Sequence, residues 1–343
     1  MLGHTVYATS FFNLIDQEDY VDTLIVPSYF DSFDLKVLEN LALNYVNEVD
    51  YIIFTSDVNT DRFPKSKIIG NTNTNHITDK YEMYKKLNKN FLMPMTFKLD
   101  SIKEAKEIQS NYPQKKFLVK PLKGTGGIGI ESFNNDVYPE ETFLLQEYIT
   151  GNSVSSSFLS YRNHDIDMVT TSDQVIGSKM LGASEFMYCG NVTPLVNSNP
   201  KLVNISTKIS KMFKLLGSNG IDFVINNNKV YVIEVNPRIQ GTFDCIERSF
   251  DMNLAKAHID VCNDKKVELP NLQYFTVKLI PYSFEDARYN LLQDLYVHDV
   301  SRNNEIIKKG HPISTILVSD RILENAMSKA EIIRKRIYDS KID

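Results

Sequence analysis

The stretch Gly220–Gly241, GIDFVINNNKVYVIEVNPRIQG, constrains this chain more than any other. Two apolar runs, Ile221–Ile225 and Val230–Val235, flank Asn226-Asn227-Asn228. Short β-rich runs on either side of an asparagine turn predict a β-hairpin. Centred near Asn228, the hairpin sets Asp222 opposite Glu234, and Asn236, two residues on, shares the face of Glu234. Like charges directly across a ladder repel. Two carboxylates and an amide oxygen on one face therefore need a cation. All three are hard oxygen ligands, suited to Mg²⁺ (or Mn²⁺) held partly by substrate phosphates. Arg238, beyond Pro237, is placed to meet an anion near that ion. The competing reading is an exposed hairpin with solvated acids.

The 343 residues suffice for two or three domains with proper cores. Apolar residues at 42% and charged residues at 24% are ordinary for a globular protein in water. A net charge of −5 argues against a general nucleic-acid binder, although a local basic cleft is compatible with it. Cys189, Cys245 and Cys262 form no CxxC pair, which fits a reduced, intracellular protein without structural zinc. No apolar run reaches the roughly 20 residues of a membrane span. The opening MLGHTVYATSFF lacks the basic and apolar regions of a signal peptide. A cytoplasmic protein without a membrane or nucleic-acid partner is expected.

Residues 1–70 alternate strand-like and helical pieces, which predicts a small parallel sheet. HTVYATSFF, DTLIVPSYF and DYIIFTSDV read as β-runs, and Asp34 caps a helix through LKVLENLALNYVNE. The chain opens at Leu2-Gly3-His4, which reads as the end of a first helix, so the first βα unit of a doubly wound domain reads as absent or shortened. ITDKYEMYKKLNKN reads as a helix carrying Lys80, and Ser101 with Glu104 forms a capping box before a second helix that ends near Tyr112-Pro113. Phe117–Lys120 is then a strand, followed by Gly124-Thr125-Gly126-Gly127-Ile128-Gly129 and a second extended run at Ile130–Phe133. Glycines at this density let backbone N–H groups approach an anion. The spacing matches G-x-G-x-x-G, but the dinucleotide reading needs a helix directly after the glycines, and none is predicted. A strand, glycine loop and strand make a better flap over a triphosphate, with Lys120 reaching a phosphate. A plain glycine turn is the bland alternative.

Phe143–Gln146 reads as a strand that turns at Gly151-Asn152 into a returning serine-rich strand. Gln146, Glu147 and Ile149 suit an adenine edge and ribose hydroxyls along a hinge. Residues 165–200 read as a long polar connection in which Cys189 has no base beside it. Lys201–Leu216 is amphipathic, with Val203, Ile205, Ile209, Met212, Phe213 and Leu216 on one side and Gly217 ending it. A helix follows Gly241, with Asp251 as a cap. From about Leu272 the chain reads as a smaller α+β unit, in which His311 is a turn residue beside Gly310 and Pro312.

Taken in order, these motifs resemble the ATP-grasp superfamily over roughly Thr78 to Leu254. Asp79-Lys80 looks like the first nucleotide lysine, and FLVKP with its glycine loop like the second, Lys120. LLQEYI looks like the adenine hinge, Asp222 in GIDF like the first metal ligand, and IEVNPRIQG like the strand that gives Glu234 and Asn236 to the metal and Arg238 to the reacting phosphate. Asp222 stands where relatives often carry Glu, and Gln146 where they are often acidic. FMYCGNVTPL and GHPIST are most similar to the archaeal-type branch of predicted carboligases, a branch similar to tyramine–glutamate ligase and the pyrrolysine-biosynthesis ligase.

The resemblance implies an α/β and α+β architecture. A Rossmann-like pre-ATP-grasp domain, shortened at its start, would span 1–75. An ATP-grasp domain would span 76–270, its lid subdomain at about 112–160, and a small C-terminal α+β appendage 271–343. The implied cofactors are ATP and Mg²⁺. Lys80, Lys120, Gly124, Thr125, Gly126, Gly127, Gln146, Glu147, Ile149 and Val224 would contact the nucleotide, Asp222, Glu234 and Asn236 the metal, and Arg238 and Lys120 would be catalytic. The implied reaction activates a carboxylate as an acylphosphate and joins it to an amine, with ADP and phosphate released. Partners are then a small carboxylate and a small amine, with a homodimer left open. The alternatives are a nucleotide-binding regulatory module without turnover and a bicarbonate-using carboxylase relative.

Overall fold

The computed structural model describes residues 3–28, 33–124, 126–134, 141–196, 199–301 and 305–342. Strands β1 (Tyr7–Thr9) and β2 (Thr23–Ile25) pair in parallel and precede helix α1 (Leu35–Leu43). Asp34 caps α1, accepting from the amide of Lys36 at 3.0 Å. The third β-run contributes only one parallel bridge, Ile52 with Ile68, and beyond it the chain leaves the ladder to carry Asp57 inward.

The helix expected through ITDKYEMYKKLNKN is broken at its third residue. Helix α2 (Asn75–Thr78) ends where Asp79 takes extended backbone and caps α3 (Lys80–Leu87) through the amides of Tyr81 and Glu82. Aspartate is favoured at a cap and disfavoured inside a helix, so the break follows from the residue type. Lys80 therefore stands at the start of a helix.

Strand β3 (Thr96–Leu99), helix α4 (Ile102–Asn111) and strands β4 (Phe117–Pro121), β5 (Glu131–Ser132) and β6 (Phe143–Glu147) follow. They build an antiparallel sheet of four strands in the order β3-β6-β4-β5. Ser101 caps α4 through the amide of Lys103 at 3.1 Å. Leu99, Ala105, Phe117, Val119, Phe143 and Leu145 make the small core between α4 and this sheet.

β7 (Asn152–Ser160) does not return alongside β6. It crosses into a second sheet, so the four-stranded sheet ends with β6. Seven successive residues of β7, Val154–Ser160, are buried, which places the strand inside a sheet covered on both faces. That sheet also takes β8 (Ile166–Ile176) and β9 (Tyr188–Thr193). After helix α5 (Pro200–Phe213) come β10 (Gly217–Asn226) and β11 (Lys229–Asn236). Helices α6 (Phe243–Phe250) and α7 (Leu254–Cys262) lead to β12 (Phe275–Leu279), β13 (Val297–His298), β14 (Thr315–Asp320) and helix α8 (Leu323–Asp339). The order of the eight strands is β11-β10-β7-β8-β9-β12-β14-β13, all antiparallel.

The amphipathic helix forms with a different inner face. Leu202, Ser206, Ile209, Ser210 and Phe213 are buried, while Val203 is 42% exposed. Ser206 and Ser210 pair with Ser156 and Ser160 of β7, both at 2.8 Å, and side chains this short let α5 lie close on the strand. Lys214, at φ 53°, ends α5, and Gly217 opens β10. Past Gly241, Asp251 ends α6 in left-handed backbone, and Asn253 caps α7. Val277, Ile316 and Val318 of β12 and β14 pack with Ala326, Ala330 and Ile333 of α8 in a hydrophobic cluster. These strands are continuous with the rest of the large sheet, since β12 pairs with β9.

Candidate active site between the two sheets

The hairpin of β10 and β11 turns through Asn227 and Asn228, both with positive φ (46° and 64°), and Asn226 faces Lys229. Asparagine tolerates this conformation, which matches a two-residue turn to strand twist. The turn is centred half a residue before Asn228, so regular pairing would oppose Asp222 to Ile233. A bulge between Asp222 and Phe223 absorbs Ile233. Phe223 faces Val232, and Asp222 faces Glu234 after all.

Asp222, Glu234 and Asn236 converge. Gln174 of β8 donates to Asp222 Oδ1 at 2.9 Å, and Asn236 Nδ2 donates to Asp222 Oδ2 at 3.1 Å. Burial, and then the charge of Glu234, push the Asp222 carboxyl up to about 7. A divalent cation would relieve both penalties, and the donors are the hard oxygens that Mg²⁺ takes, so the residues fit the ion.

Lys80 donates to the Gly124 carbonyl at 2.6 Å and to Glu234 Oε1 at 3.0 Å, joining the glycine loop to the hairpin. Lys120 is buried and donates to Gln146 Oε1 at 2.7 Å. Burial and the neighbouring charge of Lys80 hold its ammonium down to about 8, against an opposing pull from Glu234. Both lysines and Glu234 thus act on one space between the sheets.

The loop after β4 carries Gly124, Gly126 and Gly127 at positive φ, while Thr125 lies outside the described residues. The amide of Tyr188 donates to Gly126 O at 3.0 Å. A Cβ on Gly127 would stand 1.9 Å from the Phe186 carbonyl. The flap therefore rests on the residues that enter β9. At the hinge, Gln146 is held between Lys120 and Thr96. The amide of Glu147 donates to Met95 O at 2.8 Å and its carboxylate pairs with Lys115. Ile149 is half-buried. A Cβ on Gly151 would come within 2.8 Å of Val224 Cγ1, so the hinge packs against β10.

Arg238 is already engaged. Its Nε and one terminal nitrogen donate to the two oxygens of Asp57 at 2.7 and 3.0 Å, and the same nitrogen reaches Asn236 Oδ1 at 3.3 Å. Despite burial, the Arg238 charge holds the Asp57 carboxyl below its ordinary value. An isolated acid in SDV gives no local signal, so the sequence did not reveal Asp57. Gln174 and Ser155 are further residues it missed. Ser155 pairs opposite Asp222, and its buried hydroxyl has no partner among the described residues. Gln240 stands within the motif IEVNPRIQG and accepts from the Ser157 hydroxyl at 2.8 Å. A Cβ on Gly220 would stand 1.6 Å from the amide carbon of Gln240, so only glycine lets that side chain cross the strand.

Residues 77–242 match the family described as an ATP-grasp domain. The chain belongs to the ATP-grasp family. An uncharacterized protein of Methanocaldococcus jannaschii is 32% identical over 94% of this chain and 84% of its own length. The tyramine–L-glutamate ligase of the same organism is 28% identical over 65% of this chain and 71% of its own. Among solved structures, the biotin carboxylase domain of the Hydrogenobacter thermophilus 2-oxoglutarate carboxylase, in complex with MgADP, ADP and bicarbonate, superposes with a TM-score of 0.72. It is 14% identical and covers 99% of this chain and 85% of its own, a likeness of fold alone. The ATP-grasp fold and an ATP-grasp ligase enzyme, both expected from the motifs, are thereby established. Among the described residues, no helix is long and apolar enough to cross a membrane.

Proposed function

We propose that this ATP-grasp ligase activates a small carboxylate as an acylphosphate and joins it to an amine, releasing ADP and phosphate. The observation that carries the proposal is the convergence of Asp222, Glu234 and Asn236 on one face of the hairpin, with Lys80 and Lys120 reaching the same space. A carboxylate does not condense with an amine unaided, because its oxygen is a poor leaving group. When bound, ATP supplies the phosphoryl group that makes that oxygen leave, and Mg²⁺ supplies positive charge beside it.

The chain's own residues position and neutralise. Asp222, Glu234 and Asn236 would hold the metal. Lys80 and Lys120, which donate to Glu234 and Gln146, would exchange these partners for phosphate oxygens. Arg238, fixed by Asp57, presents its guanidinium beside Asn236 and steadies anionic charge there. The flap at Gly124–Gly129, docked on residues 186–188, excludes water from a hydrolysable intermediate. Val224 and Ile149, on the two segments that meet at Gly151, would wall the base. We also propose the division at about 75 and 270 into N-terminal, ATP-grasp and C-terminal units.

Two measurements test this reading. Titration calorimetry with MgATP is expected to show binding, and its absence would count against the nucleotide site. ADP release with pooled carboxylates and amines is expected to exceed release without them. Binding without any stimulated release would favour a regulatory module.

A further inference from the structure

The loop that receives the glycine flap has little core of its own. It runs from Gly177 to Tyr188, joining β8 to β9, and within it only Leu181 is buried. Glycines at positive φ bring its backbone close to its neighbours. A Cβ on Gly177 would stand 1.9 Å from the Glu185 carbonyl oxygen, and one on Gly182 2.3 Å from that of Tyr282. A segment with so few buried side chains is placed by its hydrogen bonds.

Those contacts lead in two directions. Toward the four-stranded sheet, the Tyr188 amide donates to Gly126 and the Phe186 carbonyl abuts Gly127. The Phe186 ring meets Tyr148 edge-on at 5.9 Å, and Ser132 of β5 donates to Glu185 Oε2 at 3.3 Å. In the other direction lie the residues after β12 and helix α8. The Tyr282 amide donates to the Leu181 carbonyl at 2.7 Å, and the Tyr282 hydroxyl to the Tyr188 carbonyl at 2.8 Å. Arg334 of α8 donates to the Met180 carbonyl at 3.0 Å, while Glu331 accepts from its other nitrogens at 2.6 and 2.7 Å. The Tyr338 hydroxyl donates to the Tyr282 carbonyl at 3.1 Å. Helix α8 is itself firmly seated through Ala326, Ala330, Ile333 and Ile337.

Tyr188 is where the two directions meet. Its amide serves the flap and its carbonyl accepts from Tyr282. Its own hydroxyl donates to Asn191, which pairs opposite Gln174, the donor to Asp222. The ladder of β9 with β12 runs out at Gly190 opposite Leu279. The Tyr282 hydroxyl therefore does for Tyr188 what strand pairing does further along β9.

We propose that Tyr282 is a positioning residue of the ATP-grasp reaction, with Arg334 of α8 as its support. Together they fix the loop onto which the flap closes, and so set how tightly the flap shuts over the phosphates and keeps water out. Closure over a nucleotide rests on the proposed function; the anchoring of the loop does not.

The test compares the full chain with Tyr282→Phe, Arg334→Met, Arg334→Lys and Arg336→Met. Arg336, on the same helix, pairs with Asp294 instead of the loop and controls for a general loosening of α8. Without nucleotide, Tyr282→Phe and Arg334→Met are expected to speed hydrogen exchange at the Tyr188 amide by about three- to tenfold, the worth of one hydrogen bond. Arg334→Lys, which keeps a donor, and Arg336→Met are expected to stay near the parent. In titration calorimetry with Mg²⁺ and the non-hydrolysable ATP analogue AMP-PNP, Tyr282→Phe is expected to bind about three- to tenfold more weakly than the parent. In ADP release with pooled carboxylates and amines, it is expected to raise the KM for ATP by a similar factor with the maximal rate retained. A purely structural role would lower the active fraction, and so the maximal rate, at an unchanged KM. Parent-like exchange at Tyr188 in Tyr282→Phe, or equal effects of Arg334→Met and Arg336→Met, overturns the assignment. A parent that fails to bind the analogue, with the order of exchange rates intact, would sink the nucleotide reading and leave the anchoring standing. Binding without the exchange difference would do the reverse.

Discussion

At the residue scale, the site is governed by the carboxylate pair that we propose holds a cation. Asp222 and Glu234 are neighbours across a ladder, and the ordinary Asp222 value near 3.8 is raised to about 7. A carboxyl raised on folding makes the native state bind more protons than the unfolded chain, so its contribution to stability falls as pH rises from about 4 to about 7. Metal-free protein is expected to lose stability across that window, and Mg²⁺ to restore it. Metal binding near pH 6 is expected to release close to one proton, read by calorimetry in buffers of different ionisation enthalpy. No proton release there would contradict the assignment of Asp222 as a ligand. Glu234→Gln is expected to lower ligation by at least about tenfold with cooperative unfolding retained, measured by ADP release and thermal melts. Wild-type turnover in that variant would refute the metal site.

At the scale of elements, what could be read ahead of the structure depended on whether the signal was local. The hairpin was legible because its turn, its β-branched runs and its acids lie within 22 residues. Its register came out as expected through a compensation that no pattern shows: a tight asparagine turn shifts the pairing and a bulge at Ile233 shifts it back. The capped break at Asp79 and the fate of β7 were missed because each is decided by distant partners. β7 reads locally as the return of a hairpin, and only its packing between β10 and β8 and under α5 makes it central. The flap was legible from its glycines, its landing place was not. Gly127→Ala puts a methyl into the Phe186 carbonyl and forces left-handed backbone on alanine. It is expected to raise the KM for ATP several-fold and to speed amide exchange at Tyr188, measured kinetically and by hydrogen exchange. Unchanged exchange there would show that the flap does not depend on this contact.

At the scale of the molecule, the N-terminal segment is part of the site. Asp57 reaches Arg238 across 181 positions of sequence, and both side chains are about nine-tenths buried. Removing one member of such a pair strands the other charge, so Asp57→Ala is expected to cost about 3–5 kcal/mol in urea unfolding. It is also expected to depress ligation more than MgATP binding. A variant as stable as the parent would mean that the pair is replaced by solvent. The order of synthesis gives this pairing one more meaning. As the polypeptide leaves the ribosome, Asp57 emerges long before its guanidinium does, and the nascent N-terminal portion must carry an unmatched acid until the strand preceding Arg238 has been made. Formation of this contact is thereby tied to completion of the hairpin, and a product arrested before residue 238 leaves Asp57 without its guanidinium.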